Sequence, residues 1–354
     1  MTDFKNACWS KQENIYAVHI AANFLHTDML SLILNGECNA NIGRECSSKE
    51  EYGTKHRGNP LFIASRFGHH EIVQELISHG AKVYGKGLRN PLLYPSYSGY
   101  DKTVALLITN GANINEKDHE GHTSLMNASR RGWIDVVKIL LKNEADLNIC
   151  DDEEEDEEKD EGEENALDMA CSRGHLDIVS ILLDHDIDIN NNGFVSRTLL
   201  MKAVENQHED IVKLLIEFGA NMSSENDEGY RALHTSAYNN SNAKLMSILL
   251  KNNAGVNVCN HMGTTPLMMA LHRSYIKKKC IQALVDYGAD VNSHDGFGDH
   301  ISHYAGKCTL LYLFSFDMVQ TSVYSMKVDG LLSTKYAIVA IIIPSMHFFS
   351  MEQT

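Results

Sequence analysis

The sequence predicts an all-α fold in which helix–turn–helix units stack in chain order into a solenoid, with β-hairpin-like loops between units. Three observations predict it. An apolar anchor recurs at Val18, Leu61, Leu92, Leu125, Leu167, Leu200, Leu233, Leu267 and, weakly, Ser302, mostly in steps of 31 to 35 residues with two longer steps of 43 and 42. An alanine stands three residues after the anchor in most units, at Ala21, Ala64, Ala128, Ala170, Ala203, Ala270 and Ala305. A run such as Ile-Val-x-x-Leu then follows a glycine turn. A fixed period of this size means an array of small units, each too small to bury its own apolar face and completed by its neighbours.

Each part of the unit has a local reason. Two residues before the anchor stand Asn59, Asn90, Thr123, Asn165, Thr198 and Thr265, side chains that accept from the free N–H groups of a first helical turn. Pro60, Pro91 and Pro266 follow at the next position, where a helix has no N–H to lose; three of the chain's five prolines share this phase. The alanine lets neighbouring first helices approach closely. Gly68, Gly99, Gly132 and Gly174, seven after the anchor, end that short helix. The second helix shows one apolar stripe, as in Ile72, Val73, Leu76 and Ile77, or Ile178, Val179, Leu182 and Leu183. Gly80-Ala81, Gly111-Ala112, Gly219-Ala220 and Gly288-Ala289 stop it, and Asn115, Asn148, Asn190, Asn257 and Asn292 close each unit in a polar hairpin. Pro95 breaks the pattern inside the third unit and is expected to kink or shorten its first helix.

This pattern resembles the ankyrin repeat. The closest matches to that family's T-P-L-H-x-A core are Thr265-Pro266-Leu267-Met268-Met269-Ala270 and Ala232-Leu233-His234, with matching turns at Gly68-His69 and Gly174-His175. The position after the anchor keeps His19, His234 and His303 but is Phe62, Leu93 or Met126 elsewhere. The expected organisation is an N-terminal segment (1–12), an array (13–306) and a divergent tail (307–354). The two long steps mark insertions near 43–51 and at the acidic run 151–164, both in loops between units. The tail reads either as a crude cap over the last unit, as a truncated exon or as a β-rich or disordered extension; its apolar run 337–343 is too short to span a bilayer.

Composition narrows the function classes. The formal charge is −16, of which twelve acids and one lysine in 151–164 contribute −11, so the rest of the chain carries only −5. An acidic chain argues against a nucleic-acid partner. The eight cysteines are scattered without a C-x-x-C pair, which predicts reduced thiols, an intracellular location (cytoplasmic or nuclear), and neither disulfides nor metal. No nucleotide loop, nucleophile elbow or H-E-x-x-H motif occurs, so no enzyme activity and no cofactor are expected. His69, His175 and His208 read as turn or cap histidines.

The resemblance implies a protein-interaction scaffold or adaptor that holds a partner in the groove formed by hairpin tips and first helices. The alternative it leaves open is the substrate-recognition subunit of a ubiquitin ligase or another multi-protein enzyme assembly. The family's variable contacts map onto Arg66, Phe67, Tyr97, Arg130, Arg131, Arg173, Tyr238 and Arg273 on the helices, and onto Arg197 and Tyr230 at the tips. Arginine and tyrosine are the types enriched at interface hot spots. Two readings of the arginines stand: pairing with a neighbouring unit's acids, or contact with a partner of acidic or mixed charge. The acidic run leaves the array between Arg130/Arg131 and Arg173, which suggests that it could mask them. The resemblance also makes Asn148, Asn190 and Asn292 candidates for hydroxylation, because each ends an acid–aliphatic–Asn triplet with Leu140, Leu182 or Leu284 six residues before the acid.

Overall fold

The computed structural model describes residues 11–35, 59–83, 90–152, 164–185, 187–190, 197–239, 242–272, 278–301 and 304. It divides into two units, Met1–Ile187 with Gly193–Val195, and Asp188–Asn192 with Ser196–Thr354. The first contains α1 (Lys11–Asn23), α2 (Thr27–Leu34), α3 (Pro60–Arg66), α4 (His70–Ser78), α5 (Leu93–Ser98), α6 (Asp101–Thr109), α7 (Ser124–Arg131), α8 (Ile134–Lys142), α9 (Ala166–Arg173) and α10 (Leu176–Leu183). The second contains α11 (Leu199–Glu205), α12 (Glu209–Glu217), α13 (Ala232–Asn239), α14 (Ala243–Lys251), α15 (Pro266–His272) and α16 (Lys278–Asp286).

Within each unit the helices form antiparallel pairs stacked in chain order. In the first, one row runs α1–α3–α5–α7–α9 and a second runs α2–α4–α6–α8–α10; in the second unit the rows are α11–α13–α15 and α12–α14–α16. The anchors Leu61, Leu92, Leu125, Leu167, Leu200, Leu233 and Leu267 are buried between rows, together with the alanines three residues on and the second-helix stripe. Each fully buried Leu or Ile contributes roughly 1.5–3 kcal/mol, and these contacts lie almost wholly between adjacent pairs.

The caps follow the sequence. Asn59 Oδ1 accepts from the Phe62 N–H at 2.7 Å, Thr123 Oγ1 from Met126 at 3.3 Å and Thr198 Oγ1 from Met201 at 3.2 Å. Asn165 Oδ1 takes two N–H groups, from Leu167 and Asp168, while Asp168 Oδ2 accepts in return from the Asn165 N–H. In the third pair the helix is shortened: α5 begins only at Leu93, with Pro95 in its first turn, and Asn90 Oδ1 accepts from the Leu92 N–H at 2.9 Å.

Three contacts between neighbouring pairs were not evident in the chain. A ring at the residue immediately before each of three second helices seats on the preceding pair: the Trp133 indole donates to the Tyr97 carbonyl at 2.8 Å, and the rings of His69 and His175 bond the carbonyls of Asn23 and Arg130, each at 3.2 Å. Gly99 and Gly132, at φ +81° and +82°, lie under Trp133 and His175, where an added Cβ would fall 2.5 and 2.7 Å from the ring. Hairpin asparagines reach the next hairpin: Asn115 Oδ1 accepts from the Asp146 N–H at 3.0 Å, Asn190 Oδ1 from Asn221 at 2.8 Å and Asn257 Oδ1 from Asp290 at 2.7 Å. The tips also join through their backbones, His261 N–H to Glu228 O at 3.0 Å and Gly296 N–H to Met262 O at 2.7 Å.

Four of the described hairpin tips are each closed by one Asx side chain. The Oδ1 of Asp118, Asn226, Asn260 and Asp295 accepts from the N–H four residues later, at 2.7–2.9 Å, and the same residue's N–H bonds that later residue's carbonyl. Asp151 occupies this position in the fourth hairpin, but its partner is Glu164: Asp151 N–H to Glu164 O at 3.0 Å and Glu164 N–H to Asp151 Oδ1 at 2.6 Å. The acidic insertion is therefore an enlarged hairpin tip, with its neck fixed by the same two bonds that close the ordinary tips. Residues 153–163, the insertion near 43–51 and the tail from 305 onward lie outside the described residues, as does the N-terminal segment 1–10.

Candidate partner-binding surface

In the first unit, the first helices α3, α5, α7 and α9 present a locally basic surface. Helices α3 (PLFIASR), α5 (LYPSYS) and α7 (SLMNASRR) carry three arginines and no acidic residue. In α9 the one acid, Asp168, is buried and caps its own helix, leaving Arg173 exposed. An acidic protein thus presents one locally cationic face.

The arginines and aromatics of this face are mutually arranged. Tyr94 and Tyr97 are three apart on α5 and share a side of that helix. The Arg66 guanidinium, from α3, lies over the Tyr94 ring with its carbon 4.9 Å from the centroid; Arg131, from α7, lies over Tyr97 at 4.6 Å. Phe62 meets Tyr94 edge to face at 5.5 Å and 84°. Phe67 is 41% exposed and stacks on His69, and Tyr97 is 42% exposed. Among the described residues, Arg66, Arg130, Arg131 and Arg173 form no ion pair. Among the described residues, no acid of a neighbouring unit pairs with any of these four.

The remaining sequence candidates are placed differently. Arg197 pairs with Glu205 at 2.9 Å within its own repeat, at the foot of α11. Tyr230 packs edge to face on His234 at 5.8 Å. Tyr238, on α13, is 44% exposed. Arg273 lies outside the described residues. Asn148, Asn190 and Asn292 are exposed, each with its N–H bonded at 2.9 Å to the acid two residues before it. The Asn190 amide is further engaged, donating to Gly219 O at 3.3 Å.

Two histidines have perturbed environments. His234 is fully buried at the position after its anchor; its Nδ1 accepts from the Arg231 N–H at 3.1 Å and its Nε2 faces Thr264 O at 3.1 Å, which fixes the neutral ring with its proton on Nε2. Burial pushes its pKa down to about 4. The same position is filled by Met126 and Asp168 in other units, each reaching back to the N-cap N–H. His122, only 8% exposed, lies at the base of the acidic tip with Glu120 3.1 Å from Nδ1 and Asp151 3.7 Å from Nε2. The bond to Asp151 and the charges of Asp118 and Glu120 outweigh its burial and raise its pKa. Lys117 pairs with Asp152 beside it at 2.8 Å. The three carboxylates around His122 come from two hairpins whose Asp118 and Asp151 are 33 residues apart, so its sequence neighbourhood alone does not show the cluster.

No group of three or more potential metal ligands occurs among the described residues, and no helix among them is long and apolar enough to cross a membrane. Cys150, Cys171, Cys259 and Cys280 form no disulfide.

Comparison with known proteins agrees with this architecture. A family model described as ankyrin repeats matches residues 3–86, 92–193, 149–226 and 200–295. Among curated proteins, the chain is 33% identical over 107 residues to the E3 ubiquitin-protein ligase KEG of Arabidopsis thaliana, covering 30% of this chain and 6% of that protein. It is 36% identical over 158 residues to the putative ankyrin repeat protein FPV031 of fowlpox virus, 42% of each. It is also 34% identical over 111 residues to protein PhlB of Serratia liquefaciens, 31% of this chain and 48% of that one. The chain thus spans less than half the length of these relatives. Among solved structures, the human ASB11 ankyrin repeat domain superposes with a TM-score of 0.56 at 25% identity, covering 66% of this chain and 99% of that domain.

Proposed function

Because the chain belongs to the ankyrin-repeat family, whose stacked helix pairs are typically non-enzymatic interaction modules, we propose that it is a protein-binding scaffold or adaptor that holds its partner on the first-helix face. The observation that carries this reading is the face of α3, α5, α7 and α9: four arginines without an acidic partner among the described residues, set among exposed aromatic rings. Leaving that many cations unneutralised on an acidic protein does nothing for folding and suits a partner of acidic or mixed charge. The net charge of −16 speaks against nucleic acid as that partner. Eight scattered cysteines without a C-x-x-C pair suit a reducing compartment, and we infer a location inside the cell, in cytoplasm or nucleus.

A second reading is favoured by one observation, the similarity to part of a protein named as an E3 ubiquitin-protein ligase: the array would then be the substrate-recognition part of such an assembly. A separate proposal follows for Asn148, Asn190 and Asn292, exposed hairpin residues that would each take one oxygen by hydroxylation; an intact mass of native protein without added oxygen rules it out.

The test is capture of partners by the full chain, followed by hydrogen-exchange mapping of each purified complex. Protection of α3, α5, α7 and α9, lost when Arg66, Arg130, Arg131 and Arg173 are all changed to Gln, supports the reading. Protection confined to the second-helix row refutes it. Ubiquitin-ligase core subunits among the captured partners select the second reading.

A further inference from the structure

The first-helix face is not uniformly cationic; two of its guanidinium groups converge on one helix. Arg66 leans from α3 onto Tyr94, and Arg131 leans from α7 onto Tyr97, so that both cations stand on the same side of α5 from opposite flanks. The floor beneath them is braced. Phe62 holds the Tyr94 ring edge-on, and the Trp133 indole pins the Tyr97 carbonyl at 2.8 Å. Helix α5 itself carries no charge, and neither α3 nor α7 carries an acid.

We propose that Arg66, Tyr94, Tyr97 and Arg131 form a clamp for two carboxylates of an extended acidic segment in a partner protein. The proposal rests on the interaction reading above and names the chemistry of the partner. A guanidinium lying on an aromatic ring has one flat face covered, while its in-plane N–H groups stay directed outward, the geometry that grips a carboxylate through two parallel hydrogen bonds. Stacking also fixes the side chain before the ligand arrives, which reduces the conformational entropy lost on binding. The two cations repel each other while unliganded, and a pair of carboxylates relieves that repulsion at both ends.

The spacing selects the segment. Side chains three apart on one helix face are roughly 5–6 Å apart at Cβ. Residues i and i+2 of an extended chain point the same way and are about 6.6 Å apart. An acid-x-acid pair in extended conformation therefore presents its carboxylates at a spacing of the same order as that of Tyr94 and Tyr97, each of which lies beneath one arginine. A single carboxylate fills one arm only.

The test uses the full chain and a fluorescein-labelled twelve-residue Gly/Ser peptide containing one Glu-Ser-Glu, read by fluorescence anisotropy. Controls are the same peptide with both Glu changed to Gln, and one with the two Glu separated by seven residues. The expected result is binding at least tenfold tighter than either control at 50 mM salt, weakening at 500 mM. Arg66→Gln and Arg131→Gln should each lose threefold or more, whereas Lys138→Gln, which removes an exposed charge on α8, should not. Tyr97→Phe should keep the affinity and Tyr97→Leu lose it, since the ring and not the hydroxyl supports Arg131. Circular dichroism confirms that each variant is folded. Equal affinity for the Glu and Gln peptides, or unchanged affinity in both arginine variants, overturns the clamp. If captured partners still protect α3 to α9 in that case, the interaction reading survives without it; if they protect another face, both fall.

Discussion

Acid should weaken the second unit through one buried ring, His234. The unfolded chain takes up a proton on this imidazole near its ordinary 6.5, while the folded chain does so only near 4, because burial opposes the charge and the Arg231 cation adds to that opposition. The ring's Nδ1 also accepts from the Arg231 N–H, a bond that protonation destroys. The unfolded state therefore binds more protons between these two values. Stability is complete above pH 6.5 and is lost as pH falls toward 4. At about 1.4 kcal/mol per pH unit, the full loss is about 3 kcal/mol, with about 2 kcal/mol already gone at pH 5. His234→Gln removes the titration while keeping an acceptor suited to the third position of a helix. Hydrogen exchange in α13 and α15, corrected for intrinsic rates, should lose roughly 30-fold more protection between pH 7 and pH 5 in the native sequence than in that variant. Equal losses in the two proteins, or an imidazole seen by NMR to titrate near 6.5, would refute the reasoning.

Three further outcomes are expected. His122 has the opposite sign: its raised pKa gives stability that is complete below pH 6.5 and lost as pH rises through its folded value, so Asp151→Asn should move the His122 NMR titration downward, and an unmoved titration removes Asp151 as the cause. Gly99→Ala and Gly111→Ala both force a positive φ on an L-residue, but only the first meets a ring, Trp133, at 2.5 Å. In urea melts Gly111→Ala should cost about 1 kcal/mol and Gly99→Ala at least about 1 kcal/mol more, with a shifted tryptophan emission. Asn257→Ala removes the bonds to Gly288 O and from the Asp290 N–H, so exchange at 288–290 should speed up by an amount equivalent to about 1–2 kcal/mol.

How much of this could be read from the chain follows from the range of each interaction. The caps at Asn59, Thr123 and Asn165 and the left-handed glycines at the ends of α5, α7 and α9 act within a few residues, so residue type and phase suffice to find them. The buried anchors also follow from period alone, because every unit repeats the same packing. The third pair was legible through Pro95, although the chain did not show that the helix would start late rather than bend. Contacts that bridge successive units were not legible: Trp133 on Tyr97, Asn257 on Asp290 and Arg131 on Tyr97 join residues 33 to 36 apart, and each partner looks ordinary by itself. The acidic insertion was visible, but its place within a hairpin tip became clear only when Asp151 was seen to bond Glu164 as Asp118 bonds His122.

The acidity of the whole chain and the cationic first-helix face stand in apparent conflict, since a molecule of charge −16 should repel an acidic partner. Distance resolves it. At physiological salt, exposed charges are screened over about 8 Å, less than the spacing of two helices that are not neighbours in a row. Eleven of the sixteen net negative charges belong to the segment 151–164, which departs from a hairpin tip at Asp151. Asp101, Asp135 and Asp177 sit in the first turns of α6, α8 and α10, in the second-helix row. A carboxylate arriving over α5 meets Arg66 and Arg131 at contact distance, and no acid on α3, α5 or α7. Net charge then governs the rate of encounter, slowing the approach of an acidic partner at low salt, while the local arrangement governs how long it stays. Added salt should raise both rates, with opposite consequences for affinity: faster association tightens binding and faster dissociation loosens it.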